Sequence, residues 1–335
     1  MSQAVQGERH DQENSLRQGL LAGGLFLLAV VAGWFLGGEV KPLWPAPTAT
    51  RLPPPSPLPS ATALPPSATP TATARPPSPT PTPPPTATPT LTPTATPWPQ
   101  GQAAVIGTSV KGRPIEVYRF GQGPDQRLII AGIHGGYEGN TVALAKALMH
   151  RLRLNPKTVP PEVTLFILPV LNVDGYTDHR GETYGRPNAH GVDLNRNFPV
   201  FWQADWDKTH CWHVLPITAG PHPFSEPETQ ALRDFIHWPG IHITALISYH
   251  SAAATIFAGG QPPDPRAVSL AQALAHASGY TFPPQDIGCP YTGQLIDWAV
   301  VDEHIAAVDV ELTTHYDTDL EQNWRLLQAF LQWRP

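Results

Sequence analysis

The chain has 335 residues and a formal net charge of −6, and its 21 lysines and arginines form no cluster. A nucleic-acid-binding surface needs such a cluster, so composition argues against a nucleic-acid partner. The two cysteines, Cys211 and Cys289, form no CxxC pair, which argues against a cysteine-based zinc site. They could form one disulfide in an oxidising compartment, and the alternative is two separate buried thiols.

An uncharged apolar run at residues 18–38 predicts one transmembrane helix, because about 20 apolar residues cross a bilayer. A signal-peptide core is usually shorter, about 7–15 residues, which favours a retained helix. Glycine and other small residues near Ala32 would permit cleavage, and a released form is the alternative. If the helix is retained, residues 1–17 form a short cytoplasmic tail. The basic residues on the two sides of the run nearly balance, so they leave its orientation open.

Residues 39–101 are rich in proline, threonine, serine and alanine, and they hold more than half of the 42 prolines. Such a segment buries too little apolar surface to fold, so we predict a disordered linker that its prolines keep extended. A linker of this kind holds a domain away from a surface. We therefore expect a single-pass membrane protein with an extracytoplasmic domain, or a secreted protein if the helix is removed.

Residues 102–335 are enough for one domain with a single large core. Hydrophobic periodicity and turn residues predict its elements in chain order. These are strands at 103–106, 115–120 and 127–133, a helix at 141–154 capped by Asn140, a strand at 163–170, a helix at 225–238 capped by Ser225, a strand at 242–249, a helix at 264–278, a strand at 305–312 and a helix at 319–333.

Continuous apolar strands that alternate with helices are typical of strands buried on both faces. The sequence therefore predicts an α/β fold with a mixed, mainly parallel central sheet and helices on both faces. In such sheets, the functional site forms where the strands end in loops.

Metal-ligand side chains follow the buried strands. His134 and Glu138 come after the strand at 127–133, His250 after the strand at 242–249, and Glu311 ends the strand at 305–312. Two histidines and a carboxylate with an open fourth position are typical of a catalytic zinc site. A separate carboxylate can act as a general base. The sequence contains no HExxH or GxSxG motif, so it does not favour the common zinc-helix proteases or serine hydrolases.

Eight short segments resemble those of the M14 zinc carboxypeptidases and occur in the order of that family. Together they span nearly all of residues 102–335, and the compact size and HG-type ligand motif also resemble the family's bacterial cell-wall peptide amidases. The segments are IGTSVKGRPI at 106–115, HGGYEGN at 134–140, LNVDGY at 171–176, GVDLNRNFP at 191–199, FSEPET at 224–229, SYHS at 248–251, GQLIDWA at 293–299 and ELTTHYD at 311–317.

The resemblance implies one Zn²⁺ per chain, held by His134, Glu138 and His250. It implies that Asp193 hydrogen-bonds the far ring nitrogen of His134, which fixes the orientation and tautomer of the ring. Glu311 would be the general base that takes a proton from a zinc-activated water and later passes it to the leaving nitrogen.

The same resemblance implies that Asn195 and Arg196 hold the free carboxylate of the substrate, a task that suits the planar guanidinium. Arg186 would stabilise the oxyanion, although Arg180 is a second candidate for this role. Tyr291 would close over the substrate from a mobile loop.

One feature departs from the family pattern, and a second bears on specificity. The family usually spaces its first histidine and glutamate as HxxE, whereas this chain has HxxxE between His134 and Glu138. Gly135 and Gly136 would absorb the extra residue, because glycine adopts unusual backbone angles. Ile296 matches a position that helps to set side-chain preference in the family, and an apolar residue there implies a neutral C-terminal residue.

We therefore expect a metallocarboxypeptidase that acts as a monomer on peptides with a free C-terminal carboxylate. The alternatives are a murein peptide amidase of the same family, an N-acyl amino acid deacylase, and a catalytically inactive domain that binds cell-wall peptides. FSEPET, GQLIDWA and ELTTHYD argue against the deacylase, and the intact Glu311 argues against the inactive domain.

Overall fold

The computed structural model describes residues 101–209, 211, 214–215, 217–286 and 288–335. The predicted tail at 1–17, the predicted transmembrane helix at 18–38 and all but the last residue of the predicted linker lie outside these ranges. Within the part of the chain that is described, no helix has both the length and the apolar character needed to cross a bilayer.

The described chain forms seven strands and six α-helices. The strands are β1 (Ala103–Thr108), β2 (Pro114–Gly121), β3 (Asp125–Ile130), β4 (Val163–Leu168), β5 (Ile243–Ser251), β6 (Ile256–Ala258) and β7 (Ala306–Leu312). The helices are α1 (Gly139–Leu154), α2 (Val173–Asp178), α3 (Pro227–Ile236), α4 (Pro265–Ser278), α5 (Leu295–Val301) and α6 (Leu320–Gln332).

All seven strands belong to one sheet, in the order β1-β2-β4-β3-β5-β7-β6. The four central strands β4, β3, β5 and β7 run parallel, whereas β2 pairs with β4, β1 with β2 and β6 with β7 in antiparallel fashion. This confirms the predicted mixed α/β sheet. Strand β6 has three residues, which is too short for the alternation that predicts a strand.

Apolar side chains cover both faces of the sheet, as predicted for strands that are buried on both sides. On β7, Val308 and Val310 join the core cluster that includes residues of α1, α4 and α6. Ala307, which points the other way, joins the cluster that includes residues of α3 and α5. At the carboxyl end of β7, the face that carries Ala307 has polar side chains instead of apolar ones. The candidate site lies at this end of the sheet.

Two predicted helix starts are wrong. Helix α1 begins at Gly139 with Glu138 as its N-cap, whereas the Asn140 side chain donates hydrogen bonds to the carbonyls of Thr314 and Asp317. Helix α3 begins at Pro227, and the Ser225 hydroxyl donates to Glu226 rather than capping the helix. The Asn140 side chain thus has tertiary partners in place of the helix cap, and the Ser225 hydroxyl, which donates to its neighbour Glu226, accepts a hydrogen bond from the distant Asn197.

Candidate metal centre and substrate cavity

A tight turn after β3 brings the first two candidate ligands together. Gly135 has a φ of +46°, which favours glycine. A Cβ at Gly136 would lie 2.2 Å from the carbonyl oxygen of His179. The turn therefore accommodates the HxxxE spacing by placing glycines where neighbouring backbone leaves no room for a side chain, as predicted.

The three predicted metal ligands converge in the interior. Nδ1 of His134 lies 3.2 Å from Nδ1 of His250 and 2.7 Å from Oε1 of Glu138. Oε2 of Glu138 lies 3.2 Å from Nδ1 of His250. One ligand atom from each residue falls within 4.8 Å of the others, and all three side chains are buried.

The hydrogen bonds at Nε2 of His134 and His250 determine whether the Nδ1 atoms are free to bind a metal. Nε2 of His134 lies 3.2 Å from Oδ1 of Asp193, as predicted, and Nε2 of His250 lies 2.9 Å from the Ser248 hydroxyl. If each Nε2–H donates to its oxygen partner, two Nδ1 lone pairs and a carboxylate face one another. Oε2 of Glu138 is buried without a hydrogen-bond partner. This donor set fits Zn²⁺, which prefers nitrogen and carboxylate ligands.

The charges around the ligands favour the ionised carboxylates. Burial alone raises the pKa of Glu138, but the rings of His134 and His250 hold it well below its usual range. Burial likewise opposes ionisation of Asp193, yet Arg186 and His134 hold the pKa of Asp193 well below its usual range. Both carboxylates are therefore ionised. Glu138 can bind a cation, and Asp193 can orient His134 toward it.

Glu311 lies beside the metal ligands because β5 and β7 are in register at this point. The strands pair His250 with Glu311, so the two side chains emerge next to each other. Burial raises the pKa of Glu311 to about 8, with His250 opposing the shift. Its Oε2 atom is buried without a hydrogen-bond partner. A bound divalent cation would lower this pKa and favour the base.

Two buried arginines line the same cavity as the metal ligands. Nε of Arg186 donates to Asp193 at 2.9 Å, and its Nη1 lies 3.5 Å from Oε1 of Glu138. Arg196 is 2% exposed, and its Nη1 donates to the carbonyl of Asn195 at 2.7 Å. Arg180, the other oxyanion candidate, stacks over Tyr176 and does not line the cavity. Of the two candidates for the oxyanion role, only Arg186 lines the cavity beside the metal ligands.

Asn195 and Arg196 belong to a short 3-10 helix, Leu194–Arg196, that starts directly after Asp193. Oδ1 of Asn195 accepts a hydrogen bond of 2.8 Å from the backbone N–H of Leu295. Its Nδ2 lies 3.5 Å from Nε2 of His250. Both predicted carboxylate-binding side chains thus lie in the cavity wall beside the metal ligands.

Of the two remaining predicted residues, one lines the cavity and the other does not. Tyr291 lines the cavity, with its ring centroid 5.8 Å from that of Phe257. Ile296 does not line this cavity: its side chain lies in the first turn of α5, is 2% exposed, and lines an adjoining pocket that also includes Phe257 and Tyr291. The Cys211–Cys289 pair, left open by the sequence, forms a disulfide that also lines the cavity.

Several polar residues of the cavity were not predicted from the sequence. Asp309 lines it one step deeper than Glu311, and its two-residue offset on a strand is a signal that would have found it. The Ser251 hydroxyl donates to Oδ1 of Asn140 and lies 3.3 Å from Nδ1 of His315. Only the fold brings His315, which follows β7, to this wall.

Comparison with known proteins identifies the family. The model of the zinc carboxypeptidase (M14 peptidase) family matches residues 101–323. Murein peptide amidase A of Escherichia coli (strain K12) is 30% identical over 216 residues, which cover 62% of this chain and 80% of that protein. Mast cell carboxypeptidase A of Rattus norvegicus is 32% identical over 165 residues, which cover 44% of this chain and 39% of that protein.

Solved structures with a similar fold agree with the family match. The crystal structure of murein-tripeptide amidase from Escherichia coli O157 superposes with a TM-score of 0.53 at 28% identity, covering 71% of this chain and 94% of that one. Bovine thrombin-activatable fibrinolysis inhibitor gives a TM-score of 0.55 at 21% identity, covering 69% of this chain and 89% of that one, and shows the fold alone. The chain therefore belongs to the M14 family of zinc carboxypeptidases, with His134, Glu138 and His250 as its candidate zinc ligands.

Proposed function

We propose that residues 102–335 hydrolyse the amide bond before a C-terminal residue that carries a free α-carboxylate, and that the substrate is a short bacterial cell-wall peptide. One observation carries the reaction type. A single cavity of about 550 Å³ is lined by the three metal ligands, by Glu311 and by two buried arginines. This set provides a metal, a proton carrier and anion-binding groups within reach of one substrate.

In this proposal, Arg196 and Asn195 bind the terminal carboxylate and so align the last amide bond with the metal ligands. When bound, Zn²⁺ polarises the amide carbonyl and lowers the pKa of water. Glu311 accepts the proton of the attacking water and donates it to the leaving nitrogen. Arg186 faces the developing negative charge on the carbonyl oxygen, and its contact with Asp193 holds the guanidinium in place.

The cell-wall substrate is supported by how the relatives overlap with this chain. Murein peptide amidase A aligns over 80% of its own length, whereas mast cell carboxypeptidase A aligns over 39%. Ordinary peptides with a neutral C-terminal residue are the second candidate, because the zinc carboxypeptidase family model matches residues 101–323.

A digest of defined peptides tests both candidates. The domain is incubated with isomeric short peptides that end in L-, D- or diaminopimelate residues, and products are read by mass spectrometry. We expect release of the last residue only, loss of activity with a chelator, and recovery with Zn²⁺. Cleavage of acetyl- or succinyl-amino acids alone would favour the deacylase, and binding without cleavage would favour the inactive domain.

We also propose that residues 18–38 anchor the protein in a membrane, with residues 39–101 holding the catalytic domain outside the cytoplasm. The support is the length of the uncharged run and the composition of the segment after it. Alkaline extraction of the full chain from membranes tests the anchor. Protease treatment of intact cells tests the side on which the domain lies. A chain that remains in the soluble fraction and lacks its first residues would favour the secreted form.

A further inference from the structure

The cavity extends beyond the metal ligands at an end that the proposed mechanism leaves unused. Tyr137 follows β3, whereas Phe257 belongs to β6, and both line the cavity. Strands β5 and β7 lie between β3 and β6, so three strand spacings of about 4.8 Å separate these two ends by about 14 Å. Arg196 lies beside Tyr291, whose ring contacts Phe257, so the terminal carboxylate of the substrate belongs to the β6 end. The residue before the scissile amide therefore extends towards Tyr137.

His315 lies at the Tyr137 end of the cavity. It follows β7, yet its ring centroid is 4.8 Å from that of Tyr137, and its Nδ1 lies 3.3 Å from the Ser251 hydroxyl. These two contacts hold the ring against the segments that follow β3 and end β5. The side chain lines the cavity and is only partly buried, so a substrate can reach it.

The hydrogen bonds around Ser251 determine which nitrogen of His315 is free for a ligand. The Asn140 side chain donates through Nδ2 to the carbonyls of Thr314 and Asp317, so its Oδ1 can only accept. That oxygen accepts the Ser251 hydroxyl proton at 3.0 Å. The Ser251 oxygen must then accept from Nδ1–H of His315, because its single proton is already donated. Nε2 remains, and it has no partner among the residues that the structure describes.

The groups near His315 favour an anion. The Tyr137 hydroxyl has no partner in the described part of the chain, and a phenol keeps its proton near neutral pH, so it can donate. The Arg186 guanidinium lies 5.9 Å from the centre of the Tyr137 ring. A carboxylate here would accept from the phenol and from Nε2–H of a charged imidazole. It would also be attracted by Arg186 and the bound metal, whereas these two cations would repel an ammonium group.

We propose that His315 and Tyr137 bind a free carboxylate on the residue before the scissile amide, so that the enzyme selects an acidic residue on the acyl side of the bond. The proposal rests on the proposed function, since it names a second feature of the same substrate. Two sources could supply this carboxylate. One is the side chain of a glutamate in ordinary α-linkage, and the other is the α-carboxylate of a glutamate linked through its side chain.

Two matched pairs of peptides, all with the same C-terminal residue, test the selection in the wild-type protein. In one pair the preceding residue is α-linked glutamate or glutamine. In the other it is glutamate linked through its side chain, with its α-carboxyl group free or amidated. We expect kcat/KM for the acid to exceed that for the amide by about 10- to 100-fold in at least one pair, the effect of one charged hydrogen bond, and that pair identifies the linkage. Equal rates within both pairs would overturn the role of His315 and leave the proposed function standing, whereas cleavage of none would overturn both.

Variants of His315 separate substrate selection from support of the cavity wall. His315→Asn keeps an N–H donor near the position of Nδ1 and loses Nε2, whereas His315→Gln keeps a neutral donor near the position of Nε2. His242→Asn is the control, since His242 is exposed and lies outside the cavity lining. We expect the acid-to-amide ratio of kcat/KM to fall at least about tenfold in His315→Asn, to fall less in His315→Gln, and to keep the wild-type value in His242→Asn.

Zinc content and melting temperature are measured on the same samples, so that a damaged fold is recognised. If His315→Asn lowers the rates for acid and amide in equal proportion, the ring only supports Ser251 and the end of β5, and the proposal is wrong.

Discussion

The two walls of the cavity are built differently. The wall with the metal ligands comes from the ends of β3, β5 and β7, where strand register sets the side-chain positions. A second wall includes Leu215 and Tyr291, which come from two loops that the Cys211–Cys289 disulfide connects across 78 residues. Strand ends therefore position the candidate metal ligands and Glu311, whereas the connected loops shape another part of the cavity. Substitutions in one wall should leave the contribution of the other wall unchanged.

The largest effect is expected on the sheet wall from Glu311→Gln. Removing the proton carrier should lower kcat by about 10²- to 10⁴-fold, because this is the range for positioned general acid–base groups. Zinc content should stay at the wild-type level, since the three ligands are unchanged. Steady-state kinetics and metal analysis check the two outcomes.

A matched control is Glu182→Gln, which removes an exposed carboxylate outside the cavity lining. This variant should retain wild-type kcat. Turnover by Glu311→Gln at the wild-type rate would show that another group carries the proton.

Arg196→Gln should have the next largest effect on catalysis. The size of the effect should depend on whether the C-terminus of the peptide is a carboxylate or an amide. Loss of the buried guanidinium removes a charged hydrogen bond, so kcat/KM for a peptide acid should fall about 10- to 100-fold. The same peptide with a C-terminal amide should be a poor substrate for the wild type, and the variant should barely distinguish the two. If the variant still prefers the acid as strongly as the wild type, another group binds the carboxylate.

Asp193→Asn is expected to act on the metal before it acts on catalysis. The side chain touches both His134 and Arg186, so its charge helps to orient one ligand and one anion-binding group. Partners of this kind typically contribute about 10- to 100-fold in metal affinity. Competition with a chelator measures the affinity, and activity at saturating Zn²⁺ should fall less than the affinity does. Unchanged affinity would contradict this role.

The smallest catalytic effect is expected on the loop wall. Replacing both cysteines with serine removes the link between the loops, so KM should rise several-fold while kcat changes little, because the sheet-borne groups stay in place. Closure of a long loop stabilises a fold by about 4 kcal/mol in the chain-entropy model, so the melting temperature should also fall. A drop in kcat as large as that of Glu311→Gln would mean that the two walls are not independent.

The same division explains what the sequence could predict. Buried strands show as continuous apolar runs, and the polar residues after them converge on one cavity, since parallel strands end at one edge of the sheet. Ile296 and Asp309 show the limit of motif position, because neither side-chain orientation follows from it alone. For Asp309, the two-residue period of the strand was a sufficient signal, whereas the burial of Ile296 depends on how α5 packs.

Residues placed by tertiary contacts could not be predicted. Asn140 satisfies the carbonyls of Thr314 and Asp317, so a side chain that resembles a helix cap serves a distant loop instead. His315 reaches Ser251 only because the chain after β7 folds back over β5. Pairing of the two cysteines likewise depends on a meeting of loops that local sequence does not encode.

The glycine turn after β3 has a consequence for how such enzymes are recognised. It inserts one residue between His134 and Glu138 and still brings their ligand atoms within 2.7 Å. A survey that requires a fixed HxxE signature would discard this chain, although its three ligands converge. Screening genomes for this chemistry should therefore score the convergence of side chains in space and allow the intervening count to vary.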